Sequence, residues 1–169
     1  MTIKNPVNFL IRRALIEDAF GIHQAHMKSI QEVCFIEHSP EEIKVWGHRP
    51  FKEDQRINAI KNQIVYVTVI DNKIEGYAHL KLYSENEMQK AHIMGLYLTP
   101  SAIGMNIGKS MLRHLLDEAK NNDVIEVTLE STLTAKKFYL KNGFKDSGEM
   151  TTIILDNQPV RCIPMFLTI

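Results

Sequence analysis

Two hydrophobic periods alternate along the chain. Ile22, Ala25, His26, Ile30 and Val33 recur at helical spacing behind Glu17 and Asp18, acids that suit a first helical turn. Ser39-Pro40-Glu41-Glu42 reads as a second helix start, with Ser39 as cap, Pro40 at the first helical position, and Ile43 and Trp46 facing inward. A polar helical stretch follows from Glu53 to Lys61. The period then changes to two. The β-branched and aromatic run Ile64 to Ile70 predicts a buried strand, Asp71-Asn72-Lys73 a turn, and Ile74 to Tyr83 the returning strand of a hairpin. Ser84 to Gln89 reads as polar loop, and His92 to Leu98 as a strand stopped by Thr99-Pro100. Ile107, Met111, Leu112, Leu115 and Ala119 then form a helical stripe. Val124 to Leu129 predicts a strand, Thr132 to Lys141 a helix closed by Gly143, and Lys145 to Leu155 and Val160 to Phe166 two last strands turning at Asp156-Asn157.

With Phe9 to Arg13 as a short first strand, the order is β-α-α-β-β-β-α-β-α-β-β. It predicts one α/β domain over residues 1–169: a mixed sheet of about seven strands with about four helices on its faces. There is no repeat, low-complexity tract or Gly/Ser linker.

Composition narrows the function. The chain has 169 residues, enough to bury a core without disulfides or a structural metal. Its 20 basic and 20 acidic residues cancel, which disfavours nucleic-acid binding through bulk charge. Cys34 and Cys162 are far apart and outside any C-x-x-C pair, so both read as reduced core thiols. No stretch has the length and apolarity of a signal peptide, at Met1 to Phe9 or elsewhere, or of a membrane span, and the expected compartment is the cytoplasm. There is no metal-ligand spacing such as H-E-x-x-H, and no metal is expected.

The most informative segment runs from Leu96-Tyr97-Leu98 through Thr99-Pro100-Ser101-Ala102 to Ile103-Gly104-Met105-Asn106-Ile107-Gly108-Lys109-Ser110. A strand feeds a loop, and the loop opens a helix. The first turn of a helix has free backbone N–H groups and the positive end of the dipole. Gly104 and Gly108 allow close approach to the backbone, and Lys109 adds charge, so the loop suits a pyrophosphate. A glycine-bearing turn with no ligand is the plainer alternative. A nucleotide P-loop is a third, but the spacing is one residue short and follows an antiparallel hairpin rather than a parallel unit.

This segment resembles the acetyl-CoA-binding motif of GNAT N-acetyltransferases, Q/R-x-x-G-x-G/A after a strand ending in hydrophobic-x-Pro. Pro100 matches the proline, Ile103 stands at the Gln/Arg position, Asn106 at the first motif glycine and Gly108 at the second. Asn is the next best residue after glycine for positive φ. Downstream, Thr132 to Phe144 is similar to the family's N-x-x-A-x-x-F-Y-x-x-x-G-F, with Ala135, Phe138, Tyr139, Gly143 and Phe144 matching and Thr132 replacing the asparagine. Ile11 to Asp18 looks like the family's first strand and helix start, so the resemblance covers nearly the whole chain. Ser39 to Trp46 is also similar to a Ser-Pro-x-x-Ile-x-x-Trp segment of small bacterial members.

The resemblance implies a GNAT-like fold with a mostly antiparallel sheet. The strand His92 to Leu98 would splay from Val124 to Leu129, and the pantetheine arm of acetyl-CoA would run in the gap. Cofactor contacts would come from Leu96, Tyr97 and Leu98 and from Ile103 to Ser110. The implied reaction is acetyl transfer to a primary amine by direct attack, on a small molecule or a peptide, with a homodimer left open. Tyr139 stands where the family's general acid toward the CoA sulfur stands. A tyrosine near 10 is a weak acid toward a thiolate near 8.5, so hydrogen bonding can be its main contribution. The alternative for Tyr139 is a core aromatic beside Phe138. His92 has the right intrinsic pKa for the base, or is a hydrogen-bonded strand histidine. His23 and His26, one turn apart, line an acceptor pocket or lie at the surface. Trp46 is a wall of that pocket or plain core. A non-catalytic acyl-CoA-binding module on the same fold is the competing function.

Overall fold

The computed structural model describes residues 8–169, so most of the N-terminal segment read above for a leader lies outside the described residues. Eight strands and five helices follow one another: β1 (Phe9–Arg13), α1 (Ala19–Glu32), α2 (Pro40–Trp46), α3 (Glu53–Asn62), β2 (Ile64–Ile70), β3 (Lys73–Glu85), β4 (Met88–Leu98), α4 (Ile107–Asn121), β5 (Glu126–Ser131), α5 (Lys136–Lys141), β6 (Lys145–Asp146), β7 (Thr151–Leu155) and β8 (Gln158–Thr168). The sheet runs β1-β2-β3-β4-β5-β8-β6, with β7 on β8. Every pair is antiparallel except β4 with β5. No helix among the described residues is long and apolar enough to cross a membrane.

The expected mixed sheet is present, with differences that have local causes. Ser84 to Gln89 is no loop: β3 and β4 meet in a two-residue turn at Asn86 and Glu87, both with positive φ, so the hairpin is longer than the polar residues suggested. The segment read as one strand from Lys145 to Leu155 divides into β6 and β7, with Gly148 at φ 91° between them. The helix expected from Thr132 begins later, because Thr132 Oγ1 accepts from the Ala135 N–H and holds a turn there.

Helices cover both faces. The stripe of α4, Ile107, Met111, Leu112, Leu115 and Ala119, packs with Ala78, Leu80, Ala91, Ile93 and Val127. On the other face, Ile22 of α1 and Ala59 of α3 pack on Val65, Val67 and Tyr77. A third cluster joins Met27, Ile30, Cys34 and Trp46 to Val160 of β8.

A polar pin ties α2 to β8 and to the turn after β5. Glu42 closes the Ser39 capping box by accepting from the Ser39 N–H. Its carboxylate also accepts from the backbone N–H, Nε and Nη2 of Arg161. His38 takes the Leu133 N–H on Nε2, so its Nδ1 carries the hydrogen that Glu42 accepts. The Arg161 hydrogen bonds hold Glu42 well below the usual carboxylate range. An unfolded glutamate titrates near 4.3. Because the folded value is lower, this contribution is complete above about pH 4.3 and is lost as the pH falls toward the folded value. Glu42→Ala is expected to cost about 2–3 kcal/mol at neutral pH, and its loss relative to the parent should shrink below pH 4. Urea denaturation at pH 7 and pH 3.5 checks both.

Candidate active site

The parallel ladder between β4 and β5 pairs Lys90 with Glu126 through Ile93 with Leu129 and then stops. β4 continues to Leu98 against β3 alone, while β5 continues against β8. The divergence starts at a bulge: His79 faces Gly95 and Leu80 faces Ile93, leaving Met94 as the extra residue. Beyond Ile93 the edge of β4 toward β5 therefore has no strand partner among the described residues.

The gap opens into a cleft of about 580 Å³ lined by Leu96, Tyr97 and Leu98 on one side and by Ala135, Phe138 and Asn142 on the other. Ile103, Gly104, Asn106, Ile107, Gly108 and Lys109 close one end, and Cys34 and Thr132 also border it. Met105 and Ser110 do not line it: Met105 packs toward the core, and the Ser110 N–H donates to the Asn106 carbonyl.

The closing loop has the geometry of an anion cradle. Asn106, the N-cap of α4, sits at φ 58° and ψ 12°, the left-handed conformation its glycine-like position requires. Gly104 has φ 86°, with no atom within 4 Å of where a Cβ would stand. Six consecutive backbone N–H groups, Gly104 to Lys109, find no acceptor among the described residues. Lys109 and Lys141 border the cleft, and neither has a carboxylate partner among the described residues. Unpaired N–H groups at a helix start, beside two free cations, fit a pyrophosphate.

The family model of the acetyltransferase (GNAT) domain matches residues 34–167. The chain belongs to the GNAT family. By class it is an acetyl-CoA-dependent N-acetyltransferase. A spermidine N(1)-acetyltransferase of Thermoplasma acidophilum is 25 % identical over 144 residues, spanning 80 % of this chain and 87 % of that protein. Among solved structures, a GCN5-related N-acetyltransferase from Rhodopseudomonas palustris superposes with a TM-score of 0.81 at 19 % identity, covering 100 % of this chain and 99 % of that one. The PaiA N-acetyltransferase of Thermoplasma acidophilum in complex with coenzyme A gives 0.75 at 22 % identity, covering 96 % and 99 %. The splay, the bulge and the cradle thus belong to a GNAT fold.

On the opposite side of the bulge lies a second cavity, about 360 Å³, lined by His23, His26, Arg49, Phe51, Arg56, Tyr77, His79 and Met94 among others. A stack of rings separates it from the GNAT cleft: Tyr77 lies 5.8 Å from Tyr97, and His26 lies 4.3 Å from Tyr97. His23 rests against Phe51. Trp46 reaches neither cavity; its ring is buried against His38 and Tyr97, the core alternative.

His92 borders neither cavity. Its Nδ1 meets Thr128 Oγ1 at 2.7 Å and its Nε2 meets Glu130 at 2.8 Å, one position before the ladder ends. Tyr139 is 5 % exposed, packs edge-on against Phe138 and Phe144, and is not among the residues that line the cleft. Its hydroxyl has no hydrogen-bond partner among the described residues, and burial, then the neighbouring Tyr77, push its pKa up.

Tyr77, Arg49 and Arg56 escaped the sequence reading because only strand register and helix packing bring them to the bulge. The one available signal was Gly95, a glycine inside a strand. A Cβ there would stand 2.8 Å from the Tyr77 hydroxyl and 3.0 Å from the Tyr97 ring. Gly95→Ala is expected to cost about 1–3 kcal/mol by displacing these buried rings, measured by thermal denaturation.

Proposed function

We propose that the protein acetylates a primary amine by direct attack on acetyl-CoA bound in the splay. The observation that carries this reading is the meeting of the free β4 edge with the six unpaired N–H groups of the Gly104–Lys109 segment. That segment, with Lys109 and Lys141, would hold the pyrophosphate. The open edge from Leu96 to Leu98 would bind the pantetheine arm, and an N–H beside the bulge would polarise the thioester carbonyl. Acetyl-CoA supplies the activated acyl group; the chain's own groups orient it and manage two protons.

The acceptor enters from the His23–Tyr77 cavity, which reaches Met94 at the bulge. The amine attacks, a C–N bond forms and the C–S bond breaks. The proton released from the amine would pass through water and the Thr128 hydroxyl to Nδ1 of His92, whose Nε2 is held by the Glu130 carboxylate. The Tyr139 hydroxyl, which has no hydrogen-bond partner among the described residues, would turn toward the occupied cleft and give the departing sulfur a hydrogen bond. The relative named for spermidine supports an amine as the nucleophile.

The test is free-thiol release from acetyl-CoA over a panel of amines. Turnover above the hydrolytic background is expected for at least one amine. Tight acetyl-CoA binding without turnover on any amine would favour a non-catalytic binding module instead.

A further inference from the structure

The charge of the acceptor cavity is at odds with a polycationic acceptor. Arg49, Lys52 and Arg56 line it, and Asp156 is the one carboxylate among its lining residues. None of the three cations has a carboxylate within salt-bridge distance among the described residues. Both arginines are half-buried and held by neutral groups. Arg49 Nε donates to the Trp46 carbonyl at 3.1 Å, and the Arg56 guanidinium lies 5.1 Å from the centre of the Tyr77 ring. Their remaining N–H groups meet no carboxylate among the described residues. Two guanidiniums lining one cavity without a counterion repel each other and lose solvation, a cost that a bound anion reverses.

A second observation is independent of charge. His26 is 8 % exposed, lines the same cavity, and its Nε2 is buried with no hydrogen-bond partner. Among the described residues, the one acceptor near the buried Tyr77 hydroxyl is His26 Nδ1, at 3.1 Å. Tyr77 therefore donates to Nδ1, and the hydrogen of neutral His26 sits on Nε2, an orphaned donor. Burial first, then the two arginines, keep His26 well below the usual histidine range, so it stays in this neutral form.

We propose that the acceptor is a small amine carrying an anionic group, a carboxylate or a phosphate, that docks on Arg49 and Arg56 with its amine at the Met94 end. This rests on the acetyl-transfer reading and specifies its substrate class. The cavity volume is at the small-molecule end of the usual range. A polyamine, cationic along its length, meets the wrong field here.

The experiment compares matched pairs: an α-amino acid against its carboxamide, and O-phosphoethanolamine against ethanolamine, with spermidine as the polycation. Affinity is read by calorimetry on the CoA-loaded protein, and turnover by thiol release. The anionic member of one pair should bind at least tenfold tighter than its neutral counterpart, and the pair that responds tells carboxylate from phosphate. The double variant R49Q/R56Q should bring that ratio near one with CoA affinity unchanged, and R49K/R56K should restore most of it. Equal affinity within both pairs, including no measurable binding, overturns the proposal, as does spermidine binding tightest or the ratio surviving in R49Q/R56Q. Should that double variant fail to fold, the ratios on the parent still decide. Should no amine be acetylated, the acetyl-transfer reading fails by itself, while the calorimetric ratio still decides the anion site.

Discussion

Gly108→Val should reduce CoA affinity by at least about 100-fold, roughly 2.7 kcal/mol, while leaving a folded protein. A Cβ at this position meets Leu98 Cδ1 at 3.4 Å and Phe138 at 3.6 Å, ordinary contacts between the two walls of the cleft. Alanine therefore fits, and it stabilises the first turn of α4 by up to about 1 kcal/mol, because glycine is the poorer helix former. The two further methyl groups of valine have no such space. They occupy the gap between Leu98 and Phe138, in the path of a ligand whose phosphates reach the Gly104–Lys109 N–H groups. Calorimetry with CoA, paired with melting curves for the alanine and valine variants, separates the lost site from a lost fold. A valine variant that binds CoA as the parent does would place the cofactor elsewhere.

Tyr139→Phe is the second large effect, and it should appear in turnover alone. The hydroxyl is in a buried ring with no hydrogen-bond partner among the described residues, so removing it should strand no other group and shift stability by less than about 0.5 kcal/mol. Because its pKa is raised, full proton transfer to a thiolate near 8.5 is uphill. On the proposed mechanism its help would be a hydrogen bond given as charge grows on sulfur. Turnover should fall by about 10²-fold or more, near 3 kcal/mol of barrier, with acetyl-CoA affinity little changed. A variant that turns over a good amine at the parent rate would remove Tyr139 from the reaction.

The loop and helix that form the anion cradle were legible because their chemistry is local. Asn106 can take a left-handed conformation whatever surrounds it, Gly108 leaves the backbone bare, and the stripe from Ile107 to Ala119 says which face of α4 is buried. The same holds for the Ser39–Glu42 capping box and for the turns at Asp71-Asn72 and Asp156-Asn157, where residues that tolerate positive φ stand between strands. The Asn86-Glu87 turn was missed because Ser84 to Gln89 is polar but for the exposed Met88, and an exposed hairpin tip has no apolar alternation to mark its strands.

By itself, then, the sequence determined the succession of elements, the cradle at the start of α4 and the resemblance that links it to Tyr139, since each depends on neighbours within a few residues. Only the tertiary structure decided what stands around the bulge. Register between β3 and β4 sets Tyr77 beside Tyr97; the packing of α1 brings His26 against both; and the segment from Arg49 to Arg56 adds two guanidiniums that have no carboxylate partner among the described residues. It also sent Trp46 into the core and His92 to Glu130. These placements rest on contacts between residues tens of positions apart. Side-chain type and spacing do not encode them, because a one-residue change of strand register would turn the same tyrosines to the other face of the sheet.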